Sequence, residues 1–416
     1  MRGVYRSPEL SKERPLGKDS SRDATKAVAA GRRPAEQAGA VNPPVYHAST
    51  VLSPTLADLR GQDRFQAGDG VTYGRHGMPG TFAFEEALAS LEGGFRTRLC
   101  GSGLTAAVAP LLCYLDAGDH LLMTDSVYGP NRSFCNGMLK RMGVETTFYD
   151  PLIGEEIGDL IRPNTKAVFM EAPGSWTFEM QDIPLLARIA REAGCWSIMD
   201  NTWATPLYFK PRERGVDVSI QAITKYVSGH SDLVMGAVTT TEAAYPLLQK
   251  GWRDLGLGAA PDDVYLAMRG LRTMPARLPV HARNGLILAE WLAEQPEVLD
   301  ILHPALPSDP GHALWKRDFS GACGLFGFIL SPEASSERKL AALLDGLSHY
   351  GLGYSWGGFE SLLIPVNPAR LRTASPWPRP GRPEGQVMRI HAGLEDPEDL
   401  VADLAAGFER LRATAF

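Results

Sequence analysis

The segment SIQAITKYVSGHSDLVMG, residues 219–236, governs how the rest of the chain is read. It overlaps an apolar, β-branched run at residues 216–223, which stops at Thr224, Lys225 and Tyr226. A lysine therefore stands at the mouth of a predicted buried strand, where an ammonium is costly to desolvate without a partner or a chemical task. On this segment alone, a lysine reaching from the strand end to water and a lysine that forms a Schiff base are equally good readings.

Upstream, further apolar runs at His120–Thr124 and at residues 167–170 and 196–199 alternate with helical segments such as Ile183–Glu192. The alternation predicts an α/β fold: a mainly parallel sheet wrapped by helices, with right-handed crossovers. Such sheets bind ligands beyond the carboxyl ends of their strands, where Tyr128, Asp200 and Lys225 fall. Gly101, Ser102 and Gly103 lead into a helix of small residues starting at Leu104, where backbone N–H groups can close on a phosphate at the positive helix end. Taken locally, an ordinary N-cap by Ser102 is the simpler reading. Tyr73 and Arg75, in a glycine-rich segment before a helix with Phe84, Leu88 and Leu91 on one face, can both point at one oxyanion. Neither a Walker A pattern nor a GxGxxG fingerprint is present. A lysine, a carboxylate, an aromatic face and a phosphate cradle are together what pyridoxal phosphate requires.

Downstream, the pattern changes near residue 275. A helix at 276–294, a proline-rich loop at 304–310, an apolar run at 324–330 and helices at 337–349 and 398–412 predict a smaller α+β domain. Residues 354–358 read as a turn, and residues 373–385, with four prolines, as an exposed loop. Arg389 lies among apolar neighbours, and a buried cation needs a carboxylate, either internal, the slightly favoured reading, or brought by a substrate. At the other end, residues 1–22 read as a mobile tail, and the proline- and glycine-broken stretch after it as an arm that packs on another subunit. The expected division is tail and arm at 1–70, a large cofactor-binding domain at 71–275 and a C-terminal domain at 276–416.

The 416 residues are 44% hydrophobic and 22% charged, which fits a globular protein with a large core. A net charge of −6 gives no electrostatic reason for nucleic acid or an anionic membrane as partner. Five cysteines without a CxxC pair and nine histidines without HExxH spacing argue against a disulfide framework and a metal site. A soluble, cytoplasmic protein is expected.

YGRHG at 73–77, GSGLTAA at 101–107, DNTWATP at 200–206, SIQAITKYVSGHSD at 219–232, YSWGGFESL at 354–362 and RIHAGLEDPEDL at 389–400 resemble the pyridoxal-phosphate-dependent enzymes of cysteine and methionine (transsulfuration) metabolism. The similarity runs in order from about residue 24 to the end. It implies the fold type I of pyridoxal-phosphate transferases. Lys225 is then the Schiff-base lysine, Asp200 the partner of the pyridinium nitrogen, and Tyr128 the ring that stacks on the cofactor. Gly103, Leu104 and Thr224 match phosphate binders of the same subunit, while Tyr73 and Arg75 match residues that reach the phosphate of a neighbouring one. Ser355, Trp356 and Arg389 match the substrate side, Ser355 and Arg389 at its α-carboxylate. A homo-oligomer follows, as a dimer paired into a tetramer.

Trp203 and Trp356 resemble the bacterial branch that eliminates at Cβ, so the resemblance implies a carbon–sulfur lyase. It would convert L-cystathionine to L-homocysteine, pyruvate and ammonia in methionine biosynthesis, with Lys225 removing the Cα proton. The alternatives are a γ-acting relative or a non-catalytic regulatory protein on the same fold. Three residues depart from the family pattern: Ala222 where many relatives carry a serine, and His76 and Ser133 where familiar members carry Arg and Asp toward the distal half of the substrate site.

Overall fold

A computed structural model describes residues 21–61 and 70–415. The mobile tail expected at 1–22 therefore falls almost wholly outside the described residues. Seven strands form the large sheet: β1 (Arg96–Cys100), β2 (His120–Thr124), β3 (Glu145–Tyr149), β4 (Thr165–Glu171), β5 (Trp196–Asp200), β6 (Val218–Ala222) and β7 (Gly236–Thr240). Their order is β1-β7-β6-β5-β4-β2-β3, and only β7 runs against its neighbours. This is the mainly parallel α/β sheet that the alternation of runs predicts.

Both faces of the central strands are covered, which is why β2, β4 and β5 each carry an apolar run. Along β4, Val168 and Met170 face one core, which extends to the second sheet; Ala167 and Phe169 face another, under the helices Gly103–Tyr114 and Tyr245–Asp254. Strand β5 divides the same way, with Met199 on the first face and Ile198 on the second. The alternation of side chains along a strand puts consecutive residues into separate cores.

The second sheet holds β8 (Val298–Leu302), β9 (Leu325–Leu330), β10 (Tyr350–Gly351), β11 (Ser361–Val366) and β12 (Gln386–His391), in the order β10-β11-β12-β9-β8. Its pairs are antiparallel except β10 with β11. The helix Pro261–Ala293 serves both sheets: Val264, Met268, Leu271 and Met274 pack beside the large sheet, whereas Leu288, Ala289 and Leu292 pack beside the small one. Residue 275, where the sequence changes character, is Pro275 inside this helix.

One sequence expectation needs correction. The helix expected at 337–349 ends at Leu344, because the chain turns so that the Ser348 and His349 amides can donate to Asp403. Residues 373–385 form a loop, exposed at Thr373, Pro376 and Pro380 as expected, yet it is fastened down, with Ser375 buried and Arg379 held by Glu179 and Asp150. Here the prolines shape a connection that polar side chains fasten down.

Candidate active site

The parallel strands β2, β4, β5 and β6 end at one edge of the large sheet, and that edge gathers the candidate residues. Asp200 is the last residue of β5, Lys225 follows β6 by three residues and Tyr128 follows β2 by four. The fully buried Ile223 and Tyr226 clamp the turn after β6, leaving Lys225 between them as the residue that faces the cleft. Its Nζ donates to Ser355 Oγ at 2.5 Å and lies 5.2 Å from the centre of the Trp356 ring. Burial first, and the Arg389 charge second, bring its pKa down to about 8, against the pull of Asp200.

Asp200 is fixed by Thr202, whose backbone N–H and hydroxyl donate to Oδ1 at 2.9 and 2.5 Å. Burial raises its pKa, opposed by those bonds and by Lys225. Beside it in register on β4 stands Glu171, also at a strand's carboxyl end. Burial first, then the Asp200 charge, push the Glu171 carboxyl up to about 8. Glu171 accepts the Tyr128 backbone N–H at 2.7 Å and the Ser175 hydroxyl, so it anchors the turn that presents the half-exposed Tyr128 ring. Sequence reading passed over Glu171 although the rule that selected Asp200, a carboxylate closing an apolar strand, selects it equally.

The turn at 354–358 is brought in from the small sheet. Ser355 has φ +83°, a strained left-handed conformation for a residue with a side chain. Gly357 shares that φ, and a Cβ there would come within 2.8 Å of Tyr226 N. The buried His391 accepts the Gly357 N–H at 3.1 Å, and its other ring nitrogen lies 3.4 Å from Tyr226 Oη. Arg389 donates to Ser355 O at 3.0 Å and has no carboxylate partner among the described residues. The internal acid expected for it is absent there, and burial lowers its pKa to about 10. A desolvated guanidinium at a cleft with its fork only partly used suits a carboxylate ligand.

At the start of the helix Gly103–Tyr114, Ser102 accepts the Thr105 N–H at 3.0 Å, as the N-cap reading expects. The amides of Gly103 and Leu104, at the first helical positions, have no intrahelical acceptor. A Cβ on Gly103 would lie 2.6 Å from that of Ala222, so the missing serine hydroxyl at 222 leaves two small residues in contact between β6 and this helix. Thr224 is turned to β7: its hydroxyl donates to Met235 O at 3.1 Å and accepts from Met235 N at 3.0 Å.

Tyr73 and Arg75 are not joined to this cluster. Arg75 donates to Arg253 O at 3.3 Å and to His76 Nε2 at 3.2 Å, and the Tyr73 ring, 43% exposed, stands edge-on to His76 at 5.9 Å. Since His76 Nε2 accepts, its proton sits on Nδ1, directed at Thr72 Oγ1 3.0 Å away. Ser133 is exposed on the short helix Gly129–Phe134. Trp203 is 6% exposed and donates to Leu325 O at 2.9 Å, which makes it part of the core between the sheets, whereas Trp356 lines the cleft beside Lys225.

Residues 24–409 match the family described as Cys/Met metabolism PLP-dependent enzyme. The chain belongs to that family. As a member of the Cys/Met metabolism family it is an enzyme that uses pyridoxal phosphate. It is 49% identical over 380 residues to a putative cystathionine beta-lyase of Rhizobium johnstonii, covering 91% of this chain and 93% of the relative. It is 40% identical over 395 residues to the cystathionine beta-lyase of Escherichia coli, covering 93% and 98%. The crystal structure of cystathionine gamma synthase from Xanthomonas oryzae pv. oryzae in complex with cystathionine superposes with a TM-score of 0.85 at 32% identity, covering 95% of this chain and 100% of the other. The family's cofactor fits the residues present: a desolvated lysine and a carboxylate at one strand edge, an aromatic ring beside them, and helix-start amides approached through a glycine.

Proposed function

We propose that this member of the family eliminates the sulfur-bearing group from Cβ of L-cystathionine, with water, to give L-homocysteine, pyruvate and ammonia. The observation that carries the reading is the meeting in one cleft of Lys225, its pKa lowered to about 8, with Ser355 and with Arg389, which pairs with no carboxylate among the described residues. It is supported by the relatives named cystathionine beta-lyase.

Lys225 would hold pyridoxal phosphate, Asp200 would face its ring nitrogen, Tyr128 its ring, and Gly103 and Leu104 its phosphate through their amides. Thr224, with its donors on Met235, would contribute there only after turning from β7. Bound, the cofactor supplies an electron sink conjugated with the substrate nitrogen, which acidifies the Cα–H bond. Arg389, with the Ser355–Trp356 turn, orients the substrate α-carboxylate, which fixes the Cα–H bond toward Lys225. A lysine with pKa near 8 is partly unprotonated at neutral pH, so it can accept the Cα proton and return one to the departing sulfur. The Trp356 ring flanks Nζ at 5.2 Å on that path.

Tyr73 and Arg75 would complete the phosphate site of a second copy, in a dimer that pairs into a tetramer with dihedral symmetry. No helix among the described residues is long and apolar enough to cross a membrane, and the five cysteines are unpaired, in keeping with a cytoplasmic location. The decisive experiment is product analysis with L-cystathionine. Pyruvate and homocysteine are expected; cysteine and 2-oxobutyrate would assign the chain to γ-elimination instead.

A further inference from the structure

Leaving β11, the chain runs out from the small sheet and reaches, at residues 372–375, the turn after β2. There it meets Asp125, whose side chain is fully buried. The Asp125 carboxylate accepts the backbone N–H groups of Thr373 at 3.1 Å, Ala374 at 3.0 Å and Ser375 at 2.9 Å. It also accepts the hydroxyls of Thr373 at 3.2 Å and Ser375 at 3.0 Å, and the Arg132 guanidinium. Arg132 in turn donates to Thr373 Oγ1 and to Asp125 O, both at 3.0 Å, and lies over the Phe148 ring at 3.7 Å. Arg372 extends the fastening to Thr177 Oγ1 at 2.7 Å and to Glu179.

A carboxylate taken out of water is tolerated only when its lone pairs are satisfied, and three successive amides converging on one anion form a specific nest. Burial alone would raise the Asp125 pKa. The Thr373 and Ser375 amides and Arg132 outweigh it and hold the group below the usual carboxylate range. The position of this nest is what gives it a consequence. Asp125 comes three residues before Tyr128 and Arg132 four after it, while residues 372–375 belong to the connection that leads into β12 and Arg389. Next to Tyr128, Gly129 packs so near Leu371 that a Cβ there would lie 3.3 Å from its side chain.

We infer that Asp125 is a positioning residue: by gripping residues 373–375 it sets the Tyr128 turn against the segment that delivers Arg389, and so fixes the width of the substrate site. The inference rests on the proposed reading, in which Tyr128 and Arg389 face cofactor and substrate. A purely structural ion pair would stabilise the fold without coupling to Tyr128.

A double-mutant cycle on the holoenzyme separates the two. Asp125→Asn keeps the volume but sets an amide donor against the gathered N–H groups, and it should lower kcat/KM about 10- to 100-fold, the scale of a misplaced reacting geometry. It should also change the visible circular dichroism of the bound cofactor, and it should cost far less in a Tyr128→Leu background, because residues coupled through one network are not additive. If Asp125→Asn fails to fold, Thr373→Val with Ser375→Ala removes only hydroxyl donors and should show the same non-additivity on a smaller scale. Multiplicative effects with an unchanged dichroism, in whichever pair folds, would overturn the inference. The cycle is read with any substrate the wild-type enzyme turns over, so a γ-elimination product would sink the β-elimination reading and leave this one standing or falling separately.

Discussion

The turn carrying Lys225 and the segment carrying Arg75 are built on opposite principles. Lys225 is surrounded from its own chain: Ile223 and Tyr226 are fully buried beside it, Ser355 takes its Nζ, and burial first, then Arg389, lower its pKa against Asp200. The segment at 72–76 is held to the arm, with Gly74 N donating to Ser49 O at 2.8 Å, yet its Tyr73 ring is 43% exposed, and among the described residues Arg75 donates to a backbone oxygen and to His76. The first region finds its partners within the chain, whereas the second, on the proposed reading, would serve a second copy. Burial fixes the first; in the second, His76 links Tyr73 and Arg75, and burial first, then the charges of Arg75, Arg253 and Arg98, lower its pKa.

The largest effect should come from the complete region. Lys225→Ala is expected to remove both the covalent anchor of the cofactor and the base, lowering turnover by about 10⁴-fold or more while the fold persists. Steady-state assay and cofactor absorbance check this, and turnover retained at more than a trace would mean the cleft is organised around another residue. Next comes Arg389→Leu, which should cost roughly 2–5 kcal/mol in kcat/KM if the guanidinium pairs with a substrate carboxylate. Unchanged kcat and KM would remove Arg389 from the substrate side of the comparison.

The smallest effect should come from the open region. Arg75→Ala is expected to weaken cofactor binding roughly 10- to 150-fold, the worth of a charge-assisted hydrogen bond, measured by titrating the apoenzyme with pyridoxal phosphate. Mixed oligomers sharpen the contrast. Arg75→Ala and Lys225→Ala chains refolded together should recover about a quarter of the sites, because half of randomly paired dimers are hybrids with one intact site each. Hybrids that form and stay inactive, or a fully active monomer, would show that the segment at 72–76 serves its own chain alone.

Much of the site edge could be read without coordinates. The apolar runs that end at Asp200 and Lys225 mark strands by their own residues, and the side-chain types needed for pyridoxal phosphate sit at their ends. Glu171 was equally visible, one residue past an apolar run that was read as ending too early. Sequence position alone does not say where Trp203 points: it lies in the same turn as Asp200, but its indole is turned into the core and donates to Leu325 O.

By itself, then, the sequence determined the fold class, the cofactor chemistry and the placing of Lys225, Asp200 and Tyr128 at strand ends, because side-chain periodicity and residue type are local properties. Only the tertiary structure decided which residues became neighbours. The sheet order β1-β7-β6-β5-β4-β2-β3 put Glu171 beside Asp200, and strand β12 carried Arg389 to Ser355 with no acid among the described residues to pair it. The bonds between Asp125 and residues 373–375 join positions 248 to 250 apart in the chain. No local pattern encodes such a pairing, since its free energy comes from desolvating a carboxylate and satisfying it with amides that only the packed fold brings within reach.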